Sequence, residues 1–146
     1  MKRYSALVLV FTLILSLAAC SNTKTGNTEN CTVTIGMSDS FTEKEIKAAI
    51  DAVKTKFKKE YGGCTLVSVI YDESESELGA ERYIRSGGGQ EKGVKAENVI
   101  YLVSDFKTGE KIEATGFEPN TEYDGWTWTV VRESNEKWYV TDWGYC

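Results

Sequence analysis

The chain has 146 residues, none of them histidine, and a formal net charge of −5 at pH 7. Without histidine, the Ser-His-Asp and Cys-His nucleophile systems and histidine-containing metal sites are excluded. The acidic charge argues against nucleic acid as a partner, because phosphate contacts need clustered lysine and arginine. We find no cofactor or metal motif in the sequence, and we assign it no cofactor, no metal site and no catalytic residue.

The first 19 residues have the pattern of a bacterial lipoprotein signal peptide. Lys2 and Arg3 supply a basic start, and the uncharged run Ala6–Ala19 is too short for a spanning helix of about 20 residues. The run ends in Leu17-Ala18-Ala19-Cys20, which resembles a lipobox, the motif whose cysteine is lipidated before the chain is cut ahead of it. The pattern predicts lipidation of Cys20 and a lipid-anchored position on the extracytoplasmic side of the cell membrane. An ordinary secretory signal with an incidental cysteine is the alternative.

A polar stretch separates this signal from the remainder of the chain. Ser21–Asn30 contains no apolar residue to bury, so it cannot offset the entropy cost of ordering. We therefore predict a lipidated cysteine and flexible tether over residues 20–31, and a single domain over residues 32–146. Removing the positive charges of Lys2 and Arg3 leaves a net charge of −5 − 2 = −7. An acidic domain of this kind is expected to be repelled by anionic headgroups.

The strongest helix signal begins at Phe41. Thr42 as N-cap and Glu45 at the third helical position form a capping box, and Phe41 and Ile46 fall where a hydrophobic staple belongs. Gly62 is suited to the left-handed cap that ends the helix. Steps of three and four residues place one apolar stripe on one helix face, with the members Ile46, Ala49, Ile50, Val53 and Phe57.

A short run rich in β-branched residues predicts a strand over Cys64–Tyr71. The acidic run Asp72–Glu77 follows, and we interpret it as a solvated turn that caps the next helix, since its spacing does not match an EF-hand calcium loop. A short helix is predicted over residues 78–85, with Leu78, Tyr83 and Ile84 as its apolar residues. The glycines at positions 87–89 are predicted to form a mobile surface loop.

The remaining predicted strands lie in the second half of the chain. Asn98–Phe106 is a clear strand, and Lys111–Thr115 is a candidate short partner strand. Gly116–Asp124 is predicted to be a loop. Trp126–Arg132 and Lys137–Tyr145 then form a predicted hairpin with a short polar link between them.

This hairpin holds all four tryptophans of the chain. If Arg132 pairs with Lys137, each residue can be assigned to a face, because directly opposed residues share one. One face then carries Thr127, Thr129, Val131, Trp138, Val140 and Asp142, and the other carries Trp126, Trp128, Val130, Tyr139, Trp143 and Tyr145. The candidate binding residues are Trp126, Trp128, Tyr139, Trp143 and Tyr145. Three roles stay open for this aromatic cluster: intramolecular core, a surface for a protein partner or second copy, and a small-molecule or glycan pocket.

The cysteine count allows at most one intramolecular disulfide. If lipid takes Cys20, three cysteines remain, and an extracytoplasmic location permits a bridge. Cys64 and Cys146 bracket strand ends, which favours that pair. A bridge from Cys31 to either of them, or no bridge, stays open.

The order of elements, one long helix followed by antiparallel strands, resembles the cystatin-like α+β architecture of the NTF2-like superfamily. The motifs that carry this resemblance are Gly125-Trp126-x-Trp128-x-x-Val131-Arg132, Trp138-x-Val140-x-Asp142-Trp143-Gly144-Tyr145 and Phe117-x-Pro119-Asn120-x-x-Tyr123. The likeness covers about Ser38 to Tyr145 and is closest to small domains on lipoproteins of Gram-positive bacteria. It implies an α+β fold in which one long N-terminal helix packs on a curved antiparallel sheet of about four strands.

The resemblance also implies what such a domain does. Members with known roles bind hydrophobic small molecules, dimerise through the sheet or assist a neighbouring domain, and a few are isomerases that use a buried carboxylate and a tyrosine. Our leading hypothesis is a non-catalytic extracytoplasmic module that either binds a protein, such as an envelope protein or a second copy, or acts as an accessory module. A binder of a small hydrophobic ligand or glycan, with a pocket between helix and aromatic sheet, is the alternative. A histidine-free enzyme using Asp142 with Tyr101 or Tyr123 is the remote one.

Overall fold

The structure, a computed structural model, describes residues 24–134 and 137–145 and has the predicted α+β class. The strands form one sheet in the order β1-β2-β3-β4-β5, with β1 parallel to β2 and all other neighbours antiparallel. Two details of the predicted fold are wrong. A strand precedes the long helix, which was predicted to come first, and the sheet has five strands with one parallel pair, where about four antiparallel strands were predicted. The elements are β1 Thr32–Ile35, α1 Glu43–Glu60, β2 Cys64–Tyr71, α2 Glu73–Ser86, α3 Gly88–Lys92, a 3₁₀ turn Ala96–Asn98, β3 Val99–Thr108, β4 Glu122–Val131 and β5 Tyr139–Gly144.

Helix α1 begins as its sequence predicts. The Thr42 hydroxyl accepts the Glu45 backbone N–H, and the Glu45 carboxylate accepts the Thr42 backbone N–H at 2.8 Å, so both halves of the capping box are present. The buried residues of α1 are the five members of the predicted stripe. The left-handed glycine is Gly63, with φ of 81°, and not Gly62 as predicted. A side chain at position 63 would also lie 2.2 Å from the carbonyl oxygen of Lys111.

The sheet has helices on both faces. Ile100 of β3 joins the core cluster that contains the buried stripe of α1. Its neighbour Val99 joins a second cluster with Ala80 and Tyr83 of α2. Because successive strand residues point to opposite faces, α1 and α2 cover opposite sides of the sheet. The face of β4 that carries Trp128 and Val130 therefore packs against α1, and the face that carries Val131 packs against α2.

The predicted register of the hairpin is wrong. The prediction pairs Val130 with Tyr139 and Thr129 with Val140. In the structure Val130 lies opposite Val140, and an irregularity between Thr129 and Val130 places Thr129 opposite Asp142. Sequence alternation could not show this shift, because one slipped residue exchanges the faces of a strand. The hairpin side chains that pack with α1 are Trp126, Trp128, Val130, Trp138 and Val140.

Four predictions for the middle of the chain also need correction. The acidic run caps helix α2, as predicted, through Asp72, but it forms the first turn of that helix and not a separate turn. Leu78 is exposed, because the buried residues of α2 lie on its other side. The glycines predicted to be a loop lead into α3 and pack against Tyr83, where a Cβ on Gly89 would lie 2.8 Å from the ring. The candidate strand Lys111–Thr115 is not a strand.

The folded chain begins before the predicted boundary at residue 32. The Gly26 N–H donates to the Lys58 carbonyl at 3.0 Å, the Asn27 N–H donates to the Cys64 carbonyl at 2.8 Å, and Asn27 forms a parallel bridge with Thr65. Composition could not indicate this, because the segment is held by backbone hydrogen bonds that need no apolar side chain. Cys20 and the other residues before Lys24 lie outside the described residues.

One carboxylate fixes the loop that leads into α1. Glu73, in the first turn of α2, accepts hydrogen bonds from the Ser38 hydroxyl at 2.5 Å, from the Ser40 backbone N–H at 3.1 Å and from the Tyr71 hydroxyl. Burial alone would raise the pKa of Glu73, but these hydrogen bonds outweigh it and lower the pKa to about 2. The Glu73 cluster therefore joins β2, α2 and the start of α1.

We expect this cluster to make the fold acid-sensitive. The folded-state pKa of Glu73 lies below its ordinary value of 4.5, so the contribution is complete above pH 4.5 and is lost as the pH falls towards 2. In Glu73→Gln, the free energy of unfolding should depend less on pH across that range than in the wild type. Urea unfolding at pH 5, 4 and 3 measures this, with the exposed neighbour Glu75→Gln as the matched control. Equal pH dependence in all three proteins would contradict the assignment.

Candidate functional site

The largest described groove lies between helix α1 and the outer strand β5. It encloses about 960 Å³, and we call it the α1–β5 groove. Its apolar lining comes from Ala48 and Ala52 of α1 and from Trp138, Tyr139 and Val140. Its charged lining is balanced, with three residues of each sign: Lys56, Lys59, Lys137, Asp51, Glu60 and Glu133.

The sequence of α1 explains the groove. Ala48 and Ala52 are one helical turn apart and flank the buried stripe, so their short side chains leave open the space beside β5. One turn further on, Lys56 lies 3.7 Å from the ring centre of Trp143 and forms an ion pair of 2.8 Å with Glu60. These contacts close the groove at the end where α1 finishes.

The β5 wall of the groove is held by side-chain contacts. The Trp138 ring lies 6.1 Å from Phe41 in an edge-to-face arrangement and has the Arg132 guanidinium 4.6 Å from its centre. The Tyr139 hydroxyl donates to the Glu133 carboxylate at 3.1 Å. Partial burial and that carboxylate raise the pKa of Tyr139, so the phenol stays protonated as a donor. Trp138 is therefore an ordered, buried part of the groove, whereas Tyr139 lies opposite Val131 and so belongs to the α2 face of the sheet.

A second groove lies on the opposite side of β5, against helix α2. It encloses about 570 Å³, and we call it the α2–β5 groove. Tyr101, Thr129 and Asp142 are neighbours across β3, β4 and β5, and all three line it. Asp142 is exposed and accepts the Trp143 backbone N–H at 3.0 Å, so it is not a buried carboxylate. Arg82 of α2 forms part of the opposite wall.

The two tyrosines that could act with Asp142 in an enzyme lie in different parts of the structure. Tyr101 lines the same groove as Asp142, but Tyr123 does not. The Tyr123 ring stacks on Phe106 with ring centres 4.9 Å apart, and its hydroxyl accepts the Glu118 N–H at 2.8 Å. Tyr123 thus belongs to the packing of the α1 side.

The five candidate binding residues do not form one surface. Trp128 is fully buried and its indole N–H donates to the Ser104 hydroxyl at 2.8 Å, so it is core. Trp126 is half-buried among aromatic rings. Tyr139, Trp143 and Tyr145 are 38%, 41% and 60% exposed and lie on or just after β5. The sequence reasoning missed Ala48, Ala52 and Trp138, although small residues four apart beside an apolar stripe are a usable signal.

The described cysteines do not form a pair. Cys31 and Cys64 carry free thiols, and Cys146 lies outside the described residues, so the predicted Cys64–Cys146 bridge stays a prediction. Burial raises the pKa of Cys64 to about 11, which keeps its thiol protonated and unreactive. Within residues 24–134 and 137–145, no group of acidic or cysteine side chains is arranged to hold a metal.

Comparisons with protein-family models, curated proteins and solved structures found no match to this chain. The NTF2-like resemblance therefore stays a prediction from its motifs. In the part of the chain that the structure describes, none of the helices has the length and apolar character needed to cross a membrane.

Proposed function

We propose that this protein is a lipid-anchored extracytoplasmic lipoprotein whose domain is a non-catalytic module that binds a partner protein in the α1–β5 groove. The observation that carries the binding site is the apolar groove beside an outer strand. The lipid anchor rests on the sequence pattern that ends at Cys20.

The groove has the composition of a protein interface. Its centre is aromatic and aliphatic, with Trp138 and Val140 facing small residues of α1, and its charges are mixed. Aromatic side chains that are already ordered lose little conformational entropy on binding.

The edge of β5 adds a second means of attachment. β5 ends the sheet order, and no strand among the described residues lies beyond it. An outer strand presents unpaired N–H and C=O groups to which an extended segment of another chain can pair. The partner we propose is an envelope protein or a second copy of this chain. The NTF2-like relationship, supported by α1 packing on the antiparallel strands β2–β5, is part of the same proposal.

Filling the groove should abolish partner binding without unfolding the domain. Ala52 is half-buried on the groove wall, so Ala52→Arg places a long charged side chain where a partner would lie. A photo-crosslinking residue at the exposed position 55 of α1, which also lines the groove, should form one specific adduct in cells that Ala52→Arg removes. Leu78→Arg, on the exposed side of α2, is the matched control and should leave the adduct unchanged.

Solution mass identifies the type of partner. Sedimentation equilibrium with and without reductant tests for a second copy, because a groove-mediated dimer persists in reductant and a cysteine-linked one does not. An adduct that survives Ala52→Arg, or the absence of any adduct together with a monomeric mass, would contradict the proposed site.

A small-ligand role is the second candidate, and the α2–β5 groove favours it. The space between α1 and the sheet is filled by Phe57, Tyr61 and Trp128, so a ligand would need a groove at the sheet edge. The α2–β5 groove offers the Tyr101 ring as an apolar wall, and Thr129 and Asp142 for hydrogen bonds. A ligand bound there would raise the melting temperature of the wild type more than that of Asp142→Ala.

A further inference from the structure

The start of the folded chain limits how far the domain can move from a membrane anchor. Gly26 is fixed to the domain by the hydrogen bond from its backbone N–H to the Lys58 carbonyl. Cys20 is six residues earlier. Six residues span at most about 22 Å even when fully extended. An anchor at Cys20 therefore holds Gly26 within that distance of the lipid headgroups.

The tether leaves the domain at one defined end. Lys58 is in the last turn of α1, and the Asn27 N–H bonds to Cys64 at the start of β2. The turn after β3 lies at the same end, because the Gly109 N–H donates to the Gly63 carbonyl at 2.9 Å. We call this the anchor end: the end of α1, the start of β2 and the turn after β3, together with the start of β4 and the end of β5.

Aromatic rings connect the tether side of the anchor end to the end of β5. Tyr61, directly after α1, lies 5.6 Å from Phe117, measured between ring centres. Phe117 lies 5.5 Å from Trp126, and Trp126 lies 5.1 Å from Tyr145. Tyr145 is 60% exposed, and its neighbour Trp143 is 41% exposed. The anchor end therefore presents exposed tryptophan and tyrosine, the residue types enriched where proteins meet lipid headgroups.

The charge of the anchor end permits such a contact. Lysines and glutamates alternate around its turn, from Lys107 to Glu113, and Lys58 and Lys59 at the end of α1 offset Glu122 and Asp124 at the start of β4. The acidic first turn of α2 lies at the opposite end of β2, beside Tyr71. At physiological salt the repulsion between exposed charges is screened beyond about 8 Å, so the acidic residues there oppose contact only weakly.

We propose that the anchor end rests on the lipid headgroup layer, with Trp143 and Tyr145 entering it. The inference depends on the proposed lipid anchor, because the short reach from Cys20 is what brings this end to the membrane. In this orientation the acidic end of the domain points away from the bilayer, and the α1–β5 groove lies on a side that the membrane does not cover.

Depth-dependent fluorescence quenching tests this orientation. The full chain is expressed in a bacterium that processes lipoproteins and is reconstituted in vesicles of equal parts phosphatidylcholine and phosphatidylglycerol, with or without bromine on the upper acyl chain. The contribution of Trp143 is the difference between wild type and Trp143→Phe. We expect brominated lipid to reduce the emission of Trp143. Met37 is almost fully exposed at the opposite end, after β1, so Met37→Trp in the Trp143→Phe background should keep its emission.

Two results would overturn the orientation: an unquenched Trp143 in a chain that floats with the vesicles, or equal quenching of the tryptophans at positions 143 and 37. Flotation is measured separately and tests the anchor.

If the chain does not float, the proposed lipid anchor is wrong. Six histidines then replace residues 1–20, so that the chain can be attached to nickel-chelating lipid. The chain has no histidine of its own, so attachment occurs at one point. The same quenching comparison on that protein then supports or overturns contact by the anchor end.

Discussion

Trp128→Ala is expected to lower the free energy of unfolding by about 3–5 kcal/mol, the usual cost of truncating a large aromatic core residue. Trp128 is fully buried, and its ring centre lies 5.5 Å from Tyr61 and 6.5 Å from Phe57. Its indole N–H is the donor to Ser104. The substitution removes those ring contacts, opens a cavity between α1 and the sheet, and leaves the buried hydroxyl without that donor.

Equilibrium urea unfolding, followed by far-ultraviolet circular dichroism, measures the loss. Trp143→Ala is the matched control, because Trp143 lies directly opposite Trp128 on β5 but is partly exposed. It loses the cation–π contact with Lys56 and little packing, so we expect less than about 1 kcal/mol. If the two variants were equally destabilised, the division between a core tryptophan and a surface tryptophan would be wrong.

Gly79→Ala is expected to destabilise the domain, although alanine is ordinarily the better helix former by about 1 kcal/mol. Gly79 is in the middle of α2, and a Cβ there would lie 2.2 Å from Cγ of Tyr101 on β3. The helix cannot simply move away, because the Tyr101 backbone N–H donates to the Ser76 hydroxyl one turn earlier at 3.1 Å. Overpacking of this kind costs about 1–3 kcal/mol.

Gly88→Ala is the control for this substitution. Gly88 is helical in α3, and a Cβ there would lie 3.8 Å from the Tyr83 ring, an ordinary contact distance. Its unfolding midpoint in urea should stay unchanged or rise, whereas that of Gly79→Ala should fall. A rise for both variants would mean that α2 is not packed as closely on β3 as the structure shows.

Local signals predicted the parts of the fold that depend on neighbouring residues. Helix α1 starts at the predicted cap and buries the predicted stripe, because capping and helical periodicity are set within a few positions. Strand β2 has the predicted bounds Cys64–Tyr71. A short run of β-branched residues between glycines and acidic residues is difficult to interpret as anything other than a strand.

Features that depend on distant residues were not predictable in this way. The register of the hairpin depends on an irregularity after Thr129, and β1 depends on a partner far along the chain. The same dependence on distant residues decides which candidate binding residues are buried in the core and which are exposed. Whether Trp128 or Trp143 faces water is decided by α1 and by the edge of the sheet, not by their own alternation. The groove depends on Ala48 and Ala52, which no aromatic motif includes.

The parallel pairing of β1 has a consequence for the order of folding in a chain that is exported as we propose. Thr32 pairs with Ser68, 36 positions later, and Asn27 bonds to Cys64. In a chain that crosses the membrane amino terminus first, these early residues emerge without their pairing strand and must wait for it. Closing so long a loop has an entropy cost that must be met before any stabilising contact forms. A chain lipidated at Cys20 would therefore complete its fold at the membrane surface, after attachment and not before it.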